Sequence, residues 1–494
     1  MALLAVVLAL TASACTSPWL QFGGGSSHQS NDTSEGDLTL GDVAGLQPVW
    51  QATLPANADG APVVAETTID GRWVDVAVVL TTAGDLVALD LHTGAQLWSD
   101  SFPPPPGCVV TGFSVPCYTS SSPAVFGSFV YSYGLDGEVH KVSLADGGEV
   151  TTGGWPVTVT AKPTVEKGSS ALGYATAANG RTYLYMTTAS WGDQNDYQGH
   201  LVAIDLATAS SVVFNTLCSD QAVLFQNPPA TPDCSQRESG VWARSGASYD
   251  PTTDRIFIAT GNGDFDPAAH DWGDSVIALR PDGTTDGGTP LDTFTPSNFQ
   301  QLDDDDLDLG STLPAIVPAP SGSTVTDLGV QGGKGATLYL LNLADLSGQG
   351  GPGHTGGELQ DLPVPQGGQV LSAPAVWTNP ADGAVWVFVG TKQGLSGLTV
   401  DLAADGTPHL TPRWQRTDIV ATSPLVADGI LFAAGGGQSI PFFPGPGSME
   451  AMDPTTGATA WSTATGTIHW QSPVVSGGYV LLAANGAGLT AWHR

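Results

Sequence analysis

One short pattern constrains this chain more than any other feature. Residues 84–98 read GDLVALDLHTGAQLW and residues 449–461 read MEAMDPTTGATAW, so both fit A-x-D-x-x-T-G-x-x-x-W. A looser copy, HLVAIDLATASSVVF, runs over 200–214 with Ala209 in place of the glycine. Alternating apolar residues before the Asp give a strand one face to bury. The Asp and Thr before Gly set a tight turn. The closing Trp brings a large apolar surface to an outer strand. One such unit cannot bury both of its faces, so copies must stack, and a ring removes the exposed ends.

A proline marks where most units open: Pro62, Pro123, Pro314, Pro374, Pro424 and Pro473, with further openings near Gly173 and Gly246. That makes eight units. The last, from Gln471, ends at Trp492 with only three strand-like runs: Val474-Val475, 479–483 and 489–492. The missing strand is expected at 48–53, where Trp50 matches the outer-strand Trp and has no earlier unit to join. The expected fold is therefore all-β: an eight-bladed β-propeller of four-stranded antiparallel blades, closed by an N-terminal strand joining the C-terminal blade. Its 63 Gly and 36 Pro fit a chain of many short strands and turns.

Charge excludes one class of partner. Asp+Glu number 47 against 14 Lys+Arg, a net charge of −33. Nucleic acid would be repelled, because affinity for it rests on basic residues neutralising phosphates. The expected body is a monomer over 46–494 whose blade-end loops meet a protein, peptide or glycan.

The start of the chain is read as an address. MALLAVVLALTASA is too short to stay in a bilayer as a helix and resembles the apolar core of a signal peptide. Two readings of its end stay open. Ala14-Cys15 resembles a lipobox, with Cys15 lipidated as a membrane anchor, and Ala12-Ser13-Ala14 also fits an ordinary cleavage site. Residues 15–45, rich in Ser, Gly, Asn and Asp, are expected to be a flexible tether. Lipidating Cys15 would leave four cysteines in two local pairs, Cys108–Cys117 and Cys218–Cys234, read as loop staples of an exported protein.

The repeat resembles that of the pyrroloquinoline-quinone (PQQ) propeller superfamily from about Val49 to the end of the chain. Its middle is similar to the PQQ-dependent alcohol dehydrogenases. SGASYDPTTDRIFIATGNG, 245–263, resembles the blade that supplies a calcium-binding Asn, here Asn262. DLDLGS, 306–311, resembles the segment with the catalytic Asp, here Asp308 with Asp306 as the second candidate. QGGKGATLYLLN, 331–342, resembles the strand whose Lys reaches the quinone, here Lys334. The resemblance implies PQQ and Ca²⁺ as cofactors, with Asp193 beside the metal and Trp242 beside the quinone. This chain departs from the family at three points. The stretch TTASWGDQNDYQGH has Asp193 and Asp196 but no Glu, an adjacent Cys-Cys pair is absent, and Gly246 stands where the Trp floor is expected.

Two functions follow. The leading one is a binding or scaffold propeller at the cell envelope, because the dehydrogenase residues are incomplete and a fold does not fix an activity. The alternative is a PQQ- and calcium-dependent quinoprotein alcohol dehydrogenase with an altered cofactor site. In either case His469-Trp470 is expected as a packed core Trp with a hydrogen-bonded His.

Overall fold

The computed structural model describes residues 17–110, 115–193, 196–436, 447–484, 486 and 488–494. Eight antiparallel sheets form a propeller, with blades over 63–101, 124–158, 173–215, 248–294, 315–363, 375–416, 425–464, and 474–493 with 47–52. Each has four strands on its main path, and two gain a short extra strand. Every proline opening precedes an inner strand directly: Val63–Ile69, Ala124–Phe126, Ala315–Pro318, Ala375–Thr378, Leu425–Ala427 and Val474–Ser476. Proline has no N–H to give a ladder, so it sits just before one.

The repeat motif works through hydrogen bonds. Asp90 accepts from the N–H groups of His92 and Thr93 and from the Thr93 hydroxyl, at 3.1, 2.8 and 2.8 Å. Asp453 does the same for Thr455. The turn glycine serves the neighbouring blade. A Cβ on Gly94 would lie 2.6 Å from Trp50, one on Gly147 2.9 Å from Trp98, and one on Gly457 2.8 Å from Trp414. Each indole also donates to a carbonyl of that next blade: Trp50 to Leu91, Trp98 to Leu144 and Trp414 to Pro454. Gly and Trp thus recur together because the Trp of one blade lies on the Gly turn of the next.

The ring closes as expected. Gln47–Ala52 pairs antiparallel with Gly488–His493, with a bulge between Pro48 and Trp50. Both expected disulfides, Cys108–Cys117 and Cys218–Cys234, are present in inter-blade connections.

The tether expectation needs correction. Cys15 and Thr16 lie outside the described residues, but residues 17–46 are packed onto the propeller. Trp19, Phe22, Leu38, Val43 and Leu46 are all buried in one core cluster. The segment runs round the axis and meets the inner strand of every blade in ring order. Ser476 donates to the Ser17 carbonyl, and Trp19 and Val64 exchange two backbone bonds of 2.9 Å. Val125 donates to Leu20, Tyr174 to the Gln21 side chain, and Tyr249 to Ser26. Gln29 bridges Ile316 and Val376, and Val426 donates to Ser30. The inner strand of a blade is a sheet edge with unpaired backbone groups. A Ser- and Gly-rich segment is small enough to reach all eight edges, which is why its composition resembles a linker and its structure does not. It forms a plug in the pore.

Candidate functional site in the pore

Strand count positions the site. Four antiparallel strands return the chain to the face from which it started. The loops after each second strand therefore share a face with the inter-blade connections. Asp193, Asn262 and Lys334 follow the second strands Thr182–Ser190, Arg255–Ala259 and Asp327–Gln331. Trp242, Arg244, Asp308 and Trp470 precede inner strands. Together these elements line a pocket of about 310 Å³ at the axis, with Asn262 just behind its wall. On four blades the pocket residue lies five positions before the plug contact: Ser120 and Val125, Ser169 and Tyr174, Arg244 and Tyr249, Leu371 and Val376. The plug thus lies beneath the pocket, which opens on one face.

One end is acidic. Asp308 is buried, accepts the Asn262 N–H at 2.9 Å and is ion-paired with Lys334. Lys334 also reaches Asp306 at 2.8 Å and lies 5.5 Å from the Trp242 ring centre. Burial pushes the Asp308 carboxyl up, against the pull of Lys334. Burial opposes the charge on Lys334 too, but Asp308 and the bonds to both carboxylates outweigh it and hold the ammonium above its ordinary value. Behind them Asp274 accepts the Leu309 N–H at 3.0 Å, and burial pushes its carboxyl up to about 8. Asn262 Oδ1 is buried with no hydrogen-bond partner.

The other end is basic. Arg244 is 3% exposed and donates to the Ser169 and Asp59 carbonyls at 2.7 and 3.1 Å, while its Nε has no partner. Lys167 rests on the rings of Tyr118 and Trp191, 4.4 and 5.3 Å from their centres, and has no hydrogen-bond or ion-pair partner among the described residues. Burial, then repulsion from Arg244, pulls the Lys167 ammonium down to about 8, and burial pulls Arg244 down to about 10. The carboxylate of nearby Asp59 is held by His469 at 2.8 Å and Gln471 at 3.1 Å.

Of the residues singled out in the sequence, Asp193, Trp242, Asp308 and Lys334 line this pocket. Asn262 touches it through Asp308, and Asp306 is exposed at the rim. Asp193 is exposed and accepts the Tyr197 hydroxyl at 3.1 Å. His469 and Trp470 are not packed away in the core: both are half-buried and face the pocket. No sequence motif marks Lys167, Arg244 or Asp274. The available signal was rarity: with 14 basic residues in the chain, three converge on one cavity.

No protein-family model matches this sequence, and no curated protein matches it. Among solved structures, the chain is similar to a europium-containing methanol dehydrogenase, with 15% identity, a TM-score of 0.66 and coverage of 96% of this chain and 90% of that one. The quinohemoprotein alcohol dehydrogenase of Comamonas testosteroni matches at 14% identity and TM-score 0.64, over 96% of this chain and 80% of that one. Quinohemoprotein alcohol dehydrogenase ADHIIG from Pseudomonas putida HK5 matches at 14% and 0.62, over 97% and 80%. At this identity the likeness is one of fold: the chain shares the propeller architecture of these dehydrogenases.

Proposed function

We propose that the pore pocket binds a flat, polyanionic cofactor of the pyrroloquinoline-quinone class, and that the chain is an exported quinoprotein-type oxidoreductase. One observation carries this reading. In a chain of net charge −33, the cations Arg244 and Lys167 face the cavity with no carboxylate ion-paired to them among the described residues. A buried unpaired cation is costly, so such a pair fits an anionic occupant. Trp242 and Trp470 supply flat walls for an aromatic body.

The residues present fit the organic group: the free Nε of buried Arg244 and the ammonium of Lys167 are donors for its carboxylates. They do not complete a calcium site. Asn262 Oδ1 is free, but Asp308 is committed to Lys334 and Asp193 to Tyr197. When bound, a quinone supplies a two-electron acceptor. Asp308 is placed to take a substrate hydroxyl proton on a carboxylate oxygen, helped by the burial that raises its proton affinity. Lys334 remains charged beside it, and the plug excludes water from below.

A second reading keeps the protein a binding propeller at the cell envelope. Val109 and Val115, 50% and 39% exposed, lie on the paired strands Val109–Val110 and Val115–Pro116 beside the Cys108–Cys117 disulfide, an apolar surface for a protein or peptide partner. The disulfides fit an oxidising compartment under either reading.

Titration with PQQ, read by tryptophan fluorescence, tests the proposal. Saturable quenching is expected, weakened by about tenfold or more in Arg244→Ala and Lys167→Met, since each charge-assisted bond is worth about 1.5–3 kcal/mol. Asp308→Asn should bind but no longer reduce dye with alcohols. Absence of saturable binding by the wild type overturns the oxidoreductase reading. Binding with no dye reduction from any alcohol leaves the binding propeller.

A further inference from the structure

A second constellation lies outside the pore, on the blade spanning 124–158. The sequence GLDGEVH places Asp136 in the turn, Glu138 at the start of the strand Glu138–Ser143, and His140 two positions on. Alternation puts 138 and 140 on the same face of that strand. The ligand atoms of Asp136, Glu138 and His140 all lie within 4.8 Å of one another. The His140 ring is 4% exposed and stacked on Phe102, with centroids 3.7 Å apart and planes at 11°. Its Nδ1 lies 2.6 Å from Glu149 Oε1 and its Nε2 3.2 Å from Asp136 Oδ1.

The charge in this cluster does not balance. Three carboxylates surround one imidazole, and no Lys or Arg is ion-paired to any of them among the described residues. Lys141, next along the strand, points to the other face and lies 4.1 Å from the Phe129 ring centre. Even with the ring protonated the group stays anionic, and a divalent ion is the charge that would neutralise it.

An independent feature keeps space at these atoms. Gly134 has no positive φ, so its backbone does not require glycine. A Cβ there would fall 2.4 Å from Asp136 Oδ1 and 2.6 Å from His140 Nε2. The residue missing a side chain is the one that would fill the cradle over the two ligand atoms.

We propose that Asp136, Glu138 and His140 form a binding site for one divalent transition ion of the zinc class, with Glu149 orienting the histidine. Zinc bonds to nitrogen and oxygen are about 2.0–2.2 Å, so two tetrahedral ligands stand roughly 3.3 Å apart, close to the 3.2 Å between His140 and Asp136. Glu149 holds the Nδ1 proton, which leaves the Nε2 lone pair for the metal, a carboxylate–histidine–metal arrangement. Imidazole with carboxylates suits zinc, cobalt and nickel better than the all-oxygen sites of calcium or magnesium. Binding releases the proton shared by Nε2 and Asp136 and ties the turn to Phe102, which follows the preceding blade.

The experiment uses the full chain stripped with EDTA, titrated with Zn²⁺ by calorimetry and with Co²⁺ by visible absorption. One equivalent, a cobalt d–d band of low-coordinate type and a raised melting temperature are expected. Glu138→Gln and Gly134→Ala should abolish the band while leaving the circular dichroism unchanged, and Glu149→Gln should weaken binding by about 10- to 100-fold. His140→Ala adds a direct ligand deletion; the other variants keep the test valid if that one misfolds. No band and no stoichiometric heat in the wild type, or a band that survives both Glu138→Gln and Gly134→Ala, overturns the site. These readouts are independent of quinone binding in the pore.

Discussion

Removing the anchors of the plug separates a structural segment from a tether. Trp19 and Phe22 are 3% and 2% exposed and pack into the cluster that also holds Val64, Leu425 and Val474. Truncating such a side chain to Ala costs about 3–5 kcal/mol, from lost transfer energy and the cavity left behind. Unfolding entropy near 2.1 cal/mol/K per residue gives roughly 1 kcal/mol/K for a body this size, so each variant should melt about 3–5 °C below the parent if unfolding is cooperative. Hydrogen exchange adds a local readout. The amides of Val125, Tyr249, Val376 and Val426 donate to carbonyls of the plug at 2.7–2.8 Å. They should lose protection in Trp19→Ala or Phe22→Ala, while Val78 and Leu481, in second strands, should not. If both variants melt within about 1 °C of the parent and those four amides keep their protection, the segment carries no load and the plug reading fails.

Three further outcomes are expected. His28 sits in the plug with its ring nitrogens 3.0 and 2.8 Å from the Phe22 and Ala247 carbonyls, and burial holds its pKa below the ordinary 6.5. The unfolded chain then binds more protons, so this contribution to stability is complete above pH 6.5 and falls as pH drops below it; His28→Gln should flatten that limb of a melting-temperature profile. Asp274 behaves oppositely, since burial raises it to about 8: its contribution is present below the unfolded value of 3.8 and is lost as pH rises through about 8, so Asp274→Asn should melt higher than the parent at pH 8. Trp50→Ala removes the indole on Gly94 and its bond to the Leu91 carbonyl, and because Trp50 is only half-buried the cost should fall below the about 3–5 kcal/mol of a core Trp; a thermal melt checks it, and an unchanged melt would mean that this closure contact contributes little.

The propeller was legible because its signals are local. Proline before six of the eight inner strands, Asp-x-x-Thr-Gly in the outer turn and Trp four residues on are all set within one blade, and ring closure follows from counting strands. The plug was not legible for the complementary reason. Its partners are the free edges of eight strands spread from Val64 to Ser476, and its apolar anchors follow neither a period of two nor of 3.6, so no window of the sequence contains both sides of the interaction.

The pocket divides along the same line. Asp308 and Lys334 could be nominated because each sits in a recognisable segment, and the loop after a second strand and the connection before an inner strand must share a face. Arg244 and Lys167 stand in no motif, and their meaning comes from what does not touch them, which needs coordinates. In a chain with more acids than bases by 33, an arginine or lysine near the axis has carboxylates available from many loops, and the Asp59 carboxylate lies close by, yet it is taken by His469 and Gln471. The acidic end of the pocket shows the usual outcome, with Lys334 shared between Asp306 and Asp308. Two ends of one cavity therefore treat their cations in opposite ways, although Arg244, 3% exposed, is more buried than the Lys334 side chain at 17%. Under the proposed function, the cations without a carboxylate partner mark the end for the cofactor's negative charge, and the paired one marks the end where Asp308 would take a proton.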